Sequence, residues 1–136
     1  MAWAYNPRLK QNKSKYGANK TEIDGIVFDS VKEKRRYIEL KLLEKAGKIQ
    51  DLELQKAFEL IPAQYEQTNE VYTKGKNAGQ PKRGKCLEKA VTYKADFCYI
   101  ENGKQVVEDT KGFKTKDYVI KRKLMLYMNG IRIKEI

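Results

Sequence analysis

Val91-Thr92-Tyr93-Lys94-Ala95-Asp96-Phe97-Cys98-Tyr99-Ile100, then Asn102-Gly103, then Gln105-Val106-Val107-Glu108-Asp109-Thr110-Lys111 is the stretch that decides the fold. The first run is dense in β-branched and aromatic residues, which suit a pleated strand. Asn-Gly between two such runs is a strong hairpin signal, because both residues tolerate the positive φ of a tight turn. The runs therefore read as antiparallel neighbours. Asp96 breaks the pattern, since Asp is poorly suited to a strand interior. Side chains alternate along a strand, so Asp109 and Lys111 share one face and Glu108 takes the other. Glu108 would reach the same chemistry only if the register slipped by one residue. Pairing across the hairpin can bring Asp96 beside Asp109 and Lys111.

Upstream, Thr73 to Lys89 holds six basic residues against Glu88, with Gly75, Gly79, Pro81 and Gly84 interspersed. This reads as a flexible basic loop at about residues 73–89. Before it, Ala57 to Ile61 reads as a strand that Tyr65 to Tyr72 extends, and Ile49 to Leu54 as a connector. Ser30 is a good helix N-cap and Gly47 a good stop, so a helix spans about Ser30 to Ala46. Its apolar residues form two stripes, Val31-Ile38-Leu42-Ala46 and Tyr37-Leu40-Leu43, which predicts burial on more than one side. Ile23 to Phe28 turns tightly at Asp24-Gly25. Residues 1–20 form a basic arm, with Arg8, Lys10, Lys13, Lys15 and Lys20 and no acid from Pro7 onward. The arm's Trp3, Tyr5 and Tyr16 either stack on unpaired bases or pack on the domain. Downstream, Tyr118 to Met128 reads as a second helix ended by Asn129-Gly130, and Ile131 to Ile136 as a last strand.

The chain has 136 residues, which suits one domain over residues 21–136 behind the arm. Its net charge of +11 draws in polyanions, of which nucleic acids are the commonest soluble kind. Nothing approaches the ~20 apolar residues of a spanning helix, and Met1 to Lys20 lacks a signal-peptide core, so a cytoplasmic protein without a membrane partner is expected. There is no histidine, and Cys86 and Cys98 do not form a C-x-x-C pair. That removes most zinc sites and every mechanism that needs an imidazole. Acid–base or metal chemistry falls to Asp, Glu, Lys, Tyr or water. Two carboxylates and an ammonium on adjacent strands form a workable Mg²⁺ site, because Mg²⁺ takes one or two carboxylates and keeps several waters. Lys111 can hold an attacking water or offset developing negative charge.

Asp96, then Asp109-Thr110-Lys111 with twelve residues between, resembles the PD-(D/E)XK nuclease motif. Ala95 stands where the strict motif has Pro. More narrowly, Phe28-Asp29-Ser30 with Glu33, Gln55 with Phe58, Tyr93 to Phe97, and Glu108 to Gly112 resemble a phage-encoded branch related to Holliday-junction-resolvase-like and transposase-endonuclease-like enzymes. The resemblance implies an α/β (α+β) fold with a restriction-endonuclease-like core. In that core a central mixed four-stranded sheet is flanked by two helices in the order αβββαβ. It implies a Mg²⁺- or Mn²⁺-dependent endonuclease with Asp96, Asp109, Lys111 and a first-helix glutamate as catalytic residues. Asp96, Asp109 and that glutamate would be the metal ligands.

Glu33 matches the glutamate position, with Glu39 in reserve; Ser30-x-x-Glu33 is also a capping box. Gln55 either orients a water or phosphate or ends a connector. Lys74, Lys76, Lys82, Arg83 and Lys85 in the loop, and Lys114, Lys116, Tyr118 and Lys121 around the second helix, are candidate DNA contacts. The implied partner is DNA, branched or otherwise structured, met during phage recombination, replication or packaging, and symmetric cutting implies a homodimer. No small-molecule cofactor is called for. A non-catalytic DNA- or RNA-binding or phage assembly protein is the alternative, and the acids separate the two. A pure binder has no reason to set Asp96 and Asp109 in a basic field, where they repel phosphate unless a metal intervenes.

Overall fold

The computed structural model describes residues 20–136. The basic arm, apart from Lys20, and its Trp3, Tyr5 and Tyr16 lie outside the described residues. Strand β1 (Thr21–Ile23) turns at Asp24-Gly25 into β2 (Ile26–Phe28). Both turn residues have positive φ, 52° and 74°, as a tight type I′ turn requires. Helix α1 (Val31–Lys45) follows, with the Ser30 hydroxyl accepting from the Glu33 N–H at 3.1 Å and Gly47 at φ 73° past its end. These ends are as local chemistry predicts.

Strand β3 (Gln50–Ile61) is longer than the residues suggested. Gln50 to Leu54 is strand, not connector, despite positive φ at Asp51 and Gln55. Pairing of the whole stretch with the central strand outweighs the local irregularity. Strand β4 (Gln64–Tyr65) is short and does not run on to Tyr72; it pairs with β5 (Cys86–Glu88). Between them the basic loop carries its own backbone bonds, among them Tyr72 N–H to Gln80 O at 3.0 Å and Lys82 N–H to Glu70 O at 2.8 Å. A Cβ at Gly84 would collide with the Glu66 carbonyl, so the return limb needs glycine there.

The central pair is β6 (Val91–Glu101) and β7 (Lys104–Asp109), joined at Asn102-Gly103 with φ 51° and 75°. Helix α2 (Lys116–Asn129) starts two residues before the predicted Tyr118, because the Thr115 hydroxyl caps it by accepting from the Tyr118 N–H. The last strand, β8 (Lys134–Glu135), is shorter than predicted. One mixed sheet has the order β3-β6-β7-β8, antiparallel except for β7 and β8.

The helices cover opposite faces. Phe97 and Tyr99 pack with Tyr37 and Leu40 of α1, whereas neighbouring Cys98 packs with Tyr118 and Met125 of α2. Burial on two sides of α1 is not found. Tyr37 and Leu40 are buried, but Val31, Ile38 and Leu42 are exposed, so only one stripe meets the sheet. Among the described residues no helix is long and apolar enough to cross a membrane.

Candidate functional site

The alternation along β6 changes phase at Asp96. Tyr93 and Ala95 face α2, yet Phe97 and Tyr99 face α1. The partner strand shows why. Leu54 pairs with Phe97 and Lys56 with Ala95, and Gln55 between them has φ 54°. A non-glycine residue held in this region costs of order 1–3 kcal/mol and persists only where its surroundings demand it. Here the demand is visible: Gln55 Nε2 stands 3.3 Å from both Glu33 Oε1 and Asp96 Oδ1. Gln55 therefore ends no connector; it lies within a strand and bridges two acids.

Asp96 is tied to the neighbouring strand as well. Its Oδ2 accepts from the Thr110 N–H and hydroxyl, each at 2.8 Å. The β6–β7 pairing ends with Phe97 opposite Glu108, so Asp96 and Asp109 each lie one residue beyond the last pair. Asp109 is wholly buried. Its Oδ2 accepts from the Tyr93 hydroxyl at 2.5 Å. Its Oδ1 is buried without a hydrogen-bond donor, and Lys111 Nζ stands 3.3 Å away as a charge neighbour. β7 ends at Asp109, so Lys111 lies just past the strand, its ammonium 5.1 Å from the centre of the Tyr118 ring.

Glu33 is 6% exposed. Its backbone N–H serves the cap while its carboxylate turns to Gln55. Burial, then the charges of Asp96 and Asp29, push its carboxyl up to about 7. Burial, and next the charge of Asp96, push Asp109 up to about 6 against the opposing effects of Tyr93 and Lys111. Three acids thus share a site whose negative charge is undercompensated. Glu39 does not join them; it is exposed and paired with Arg36 at 2.8 Å.

Glu33, Asp96 and Lys111 open into one cleft of about 530 Å³, lined also by Asp29, Lys32, Thr110 and Phe113. The starts of both helices, at Ser30 and Thr115, border it. Helix N-termini present free N–H groups and partial positive charge, which favour anions. Asp109 lies behind the cleft wall. Among the described residues no three Cys, Asp or Glu side chains are gathered closely enough to encircle one ion; Gln55 bridges Glu33 and Asp96. A larger hollow of about 570 Å³ between α2 and β8 holds Arg122, Arg132 and Glu135. Its single acid is already bonded to Lys114 and Arg122, so it offers no comparable chemistry.

Glu108 faces away from Asp109, as alternation predicts. It is wholly buried, bonded to Arg36 Nε at 2.8 Å, Arg36 Nη2 at 2.6 Å and the Tyr99 hydroxyl at 2.5 Å. Burial alone would raise its carboxyl; the Arg36 fork and Tyr99 outweigh that and hold it below its ordinary value. Tyr118 is not a phosphate contact: it is buried, and its hydroxyl donates to Glu135 at 3.1 Å. Lys114 is also drawn to Glu135. Lys74, Lys76, Lys85 and Lys116 are exposed, and Lys121 is half-buried. Lys82 pairs with Glu70 at 3.6 Å, and Arg83 lies 4.3 Å over the Tyr65 ring.

Tyr93, Thr110 and Arg36 hold the three strand acids, roles that residue type and spacing do not reveal. Thr110 lies inside Asp109-Thr110-Lys111 and Tyr93 opens the Tyr93 to Phe97 segment, whereas nothing local marks Arg36. A family model described as Protein of unknown function (DUF1064) matches residues 13–134. Comparison with curated proteins returns no match, and neither does comparison with solved structures.

Proposed function

We propose that this chain, which belongs to the DUF1064 family, is a metal-dependent endonuclease acting on DNA. The observation that carries the reading is the buried Asp109 Oδ1, which has no hydrogen-bond donor, only the Lys111 ammonium 3.3 Å away, and lies near Asp96 just behind the wall of a cleft lined by Glu33, Asp96 and Lys111. Buried polar atoms are nearly always satisfied, so an orphan one is a mark of a missing partner or of function. A divalent cation suits it. Asp96 and Asp109 would hold the ion, with Glu33 close behind through Gln55. This matches the preference of Mg²⁺, or Mn²⁺ in its place, for few carboxylates and several waters.

When bound, such a cation lowers the pKa of a coordinated water and offsets charge at the phosphate. The chain's own residues do the rest. Lys111 lines the cleft as a fixed cation for a phosphate oxygen or for the attacking water. Thr110 and Gln55 hold the Asp96 carboxylate in place by hydrogen bonds, and Tyr93 does so for Asp109. The helix starts at Ser30 and Thr115 attract the phosphate backbone.

The four-stranded mixed sheet between two helices supports the restriction-endonuclease-like, PD-(D/E)XK reading. Under that reading the substrate is branched or otherwise structured DNA in a phage-infected cytoplasm. A homodimer supplies two cuts; exposed Ile120, Tyr127 and Met128 on α2 support such pairing.

The test is cleavage of labelled four-way junction, flap, single-stranded and linear duplex DNA with Mg²⁺, Mn²⁺ or chelator. The expected outcome is metal-dependent cutting that falls at least a hundredfold in Asp109→Asn and Lys111→Ala while binding is kept. Tight binding without cutting in any metal would leave the non-catalytic binding module instead.

A further inference from the structure

Phe113 is 77% exposed, yet it lines the same cleft as Asp96 and Lys111. It is carried on a short segment pinned at both ends. Thr110 is bonded to Asp96, and Thr115 caps α2. The side chain before it is absent, since Gly112 precedes it, and a Cβ there would meet nothing within 4 Å. Lys111, Lys114 and Lys116 surround it in sequence. The ring is therefore presented to solvent at the mouth of the cleft, on a segment rich in lysine, instead of being folded into either core cluster.

A phenyl ring cannot pair with phosphate, and inside an intact duplex no base face is free to meet it. An unpaired base does offer a face. Aromatic side chains interleaved with cations are the usual means of holding single-stranded nucleic acid, because stacking is tolerant of base identity while the lysines follow the backbone. We infer that Phe113 is a specificity-determining residue that stacks on an unpaired base beside the phosphate held in the cleft, so that the preferred substrate is DNA with a single-stranded nucleotide at the cut site. The inference rests on the nuclease reading of the cleft for the word "cut", but the stacking itself does not need catalysis.

The test measures binding by anisotropy in chelator, with a flapped DNA and a fully paired duplex of the same sequence. Phe113→Ala is expected to weaken binding to the flap roughly tenfold and to leave the duplex within about twofold. Phe113→Leu, which keeps apolar bulk without a π face, is expected to behave like Phe113→Ala. Phe113→Trp is expected to keep flap affinity. The wild-type chain has a single Trp, so the added indole can be read by difference, and its emission is expected to be quenched by the flap and not by the duplex. Equal losses on both DNAs, no loss on either, or a Leu variant equal to wild type would overturn stacking. Because no metal is present, these outcomes are independent of the cleavage assay, whose failure would remove the nuclease and leave the stacking platform.

Discussion

Asp109 and Glu108 are adjacent in sequence and equally buried, yet they meet opposite environments. Glu108 has Arg36 and Tyr99 on its oxygens, whereas Asp109 has Tyr93 on one oxygen and no donor on the other. The consequence is a pH dependence of stability in the metal-free protein. An acid whose folded pKa is raised keeps a proton that the unfolded chain has already lost, so stability falls as pH rises between the two values. For Glu33 that window runs from 4.5 to about 7, and for Asp109 from 3.8 to about 6. In chelator, the melting temperature is expected to decline from about pH 4.5 to about 7, and Glu33→Gln is expected to flatten the upper part of that decline. Millimolar Mg²⁺ should restore stability at pH 7, because a ligand bound only by the folded state stabilises it. A melting temperature that rises across this range, with or without the substitution, would contradict the burial of these acids.

At the scale of elements, the Arg36–Glu108 pair ties α1 to the centre of the sheet. It keeps the helix that carries Glu33 in register with the strands that carry Asp96 and Asp109. Removing one partner of a buried pair leaves the other uncompensated, at a cost of about 3–5 kcal/mol. Lys134 Nζ, 3.7 Å from Glu108, offsets part of this. Arg36→Ala is therefore expected to lose about 3 kcal/mol in denaturant unfolding. Replacing Arg36 and Glu108 together by Met and Leu should lose less than the sum of the single changes, because no orphan charge remains.

The element boundaries show where local reading ends. Ser30, Gly47, Asp24-Gly25, Asn102-Gly103 and Gly130 punctuate the chain as their backbone preferences require. The start of β3 was not legible, because Asp51 and Gln55 adopt φ values that no strand pattern encodes.

Across the whole molecule, the basic loop leads into the same strand that carries Asp96. β6 enters at Val91, five residues before Asp96, and at ~3.3 Å per residue the excursion departs roughly 16 Å from the acids. Under the proposed nuclease reading, a duplex or branch seated in the cleft would reach it. Affinity for DNA is expected to fall steeply with salt through counterion release. Changing Lys74, Lys76 and Lys85 to Ala should weaken binding to all DNAs alike and reduce the log–log salt slope by roughly 0.9 for each phosphate no longer neutralised. An unchanged slope, measured by anisotropy over a salt series, would place the loop away from the backbone.

Residue order alone set the turns, the helix caps, the strand hairpin and the excess of positive charge, because each depends on φ preferences, alternation or composition within a few residues. It also brought Asp96, Asp109 and Lys111 into one neighbourhood, since a hairpin is itself a local structure. Which carboxylate would be sealed and satisfied, and which sealed and left open, was decided only by packing. Desolvation and long-range bonds make that choice: Arg36 reaches Glu108 across 72 positions, and Gln55 reaches Asp96 across 41. No pattern along the chain carries the distance between atoms so far apart in sequence.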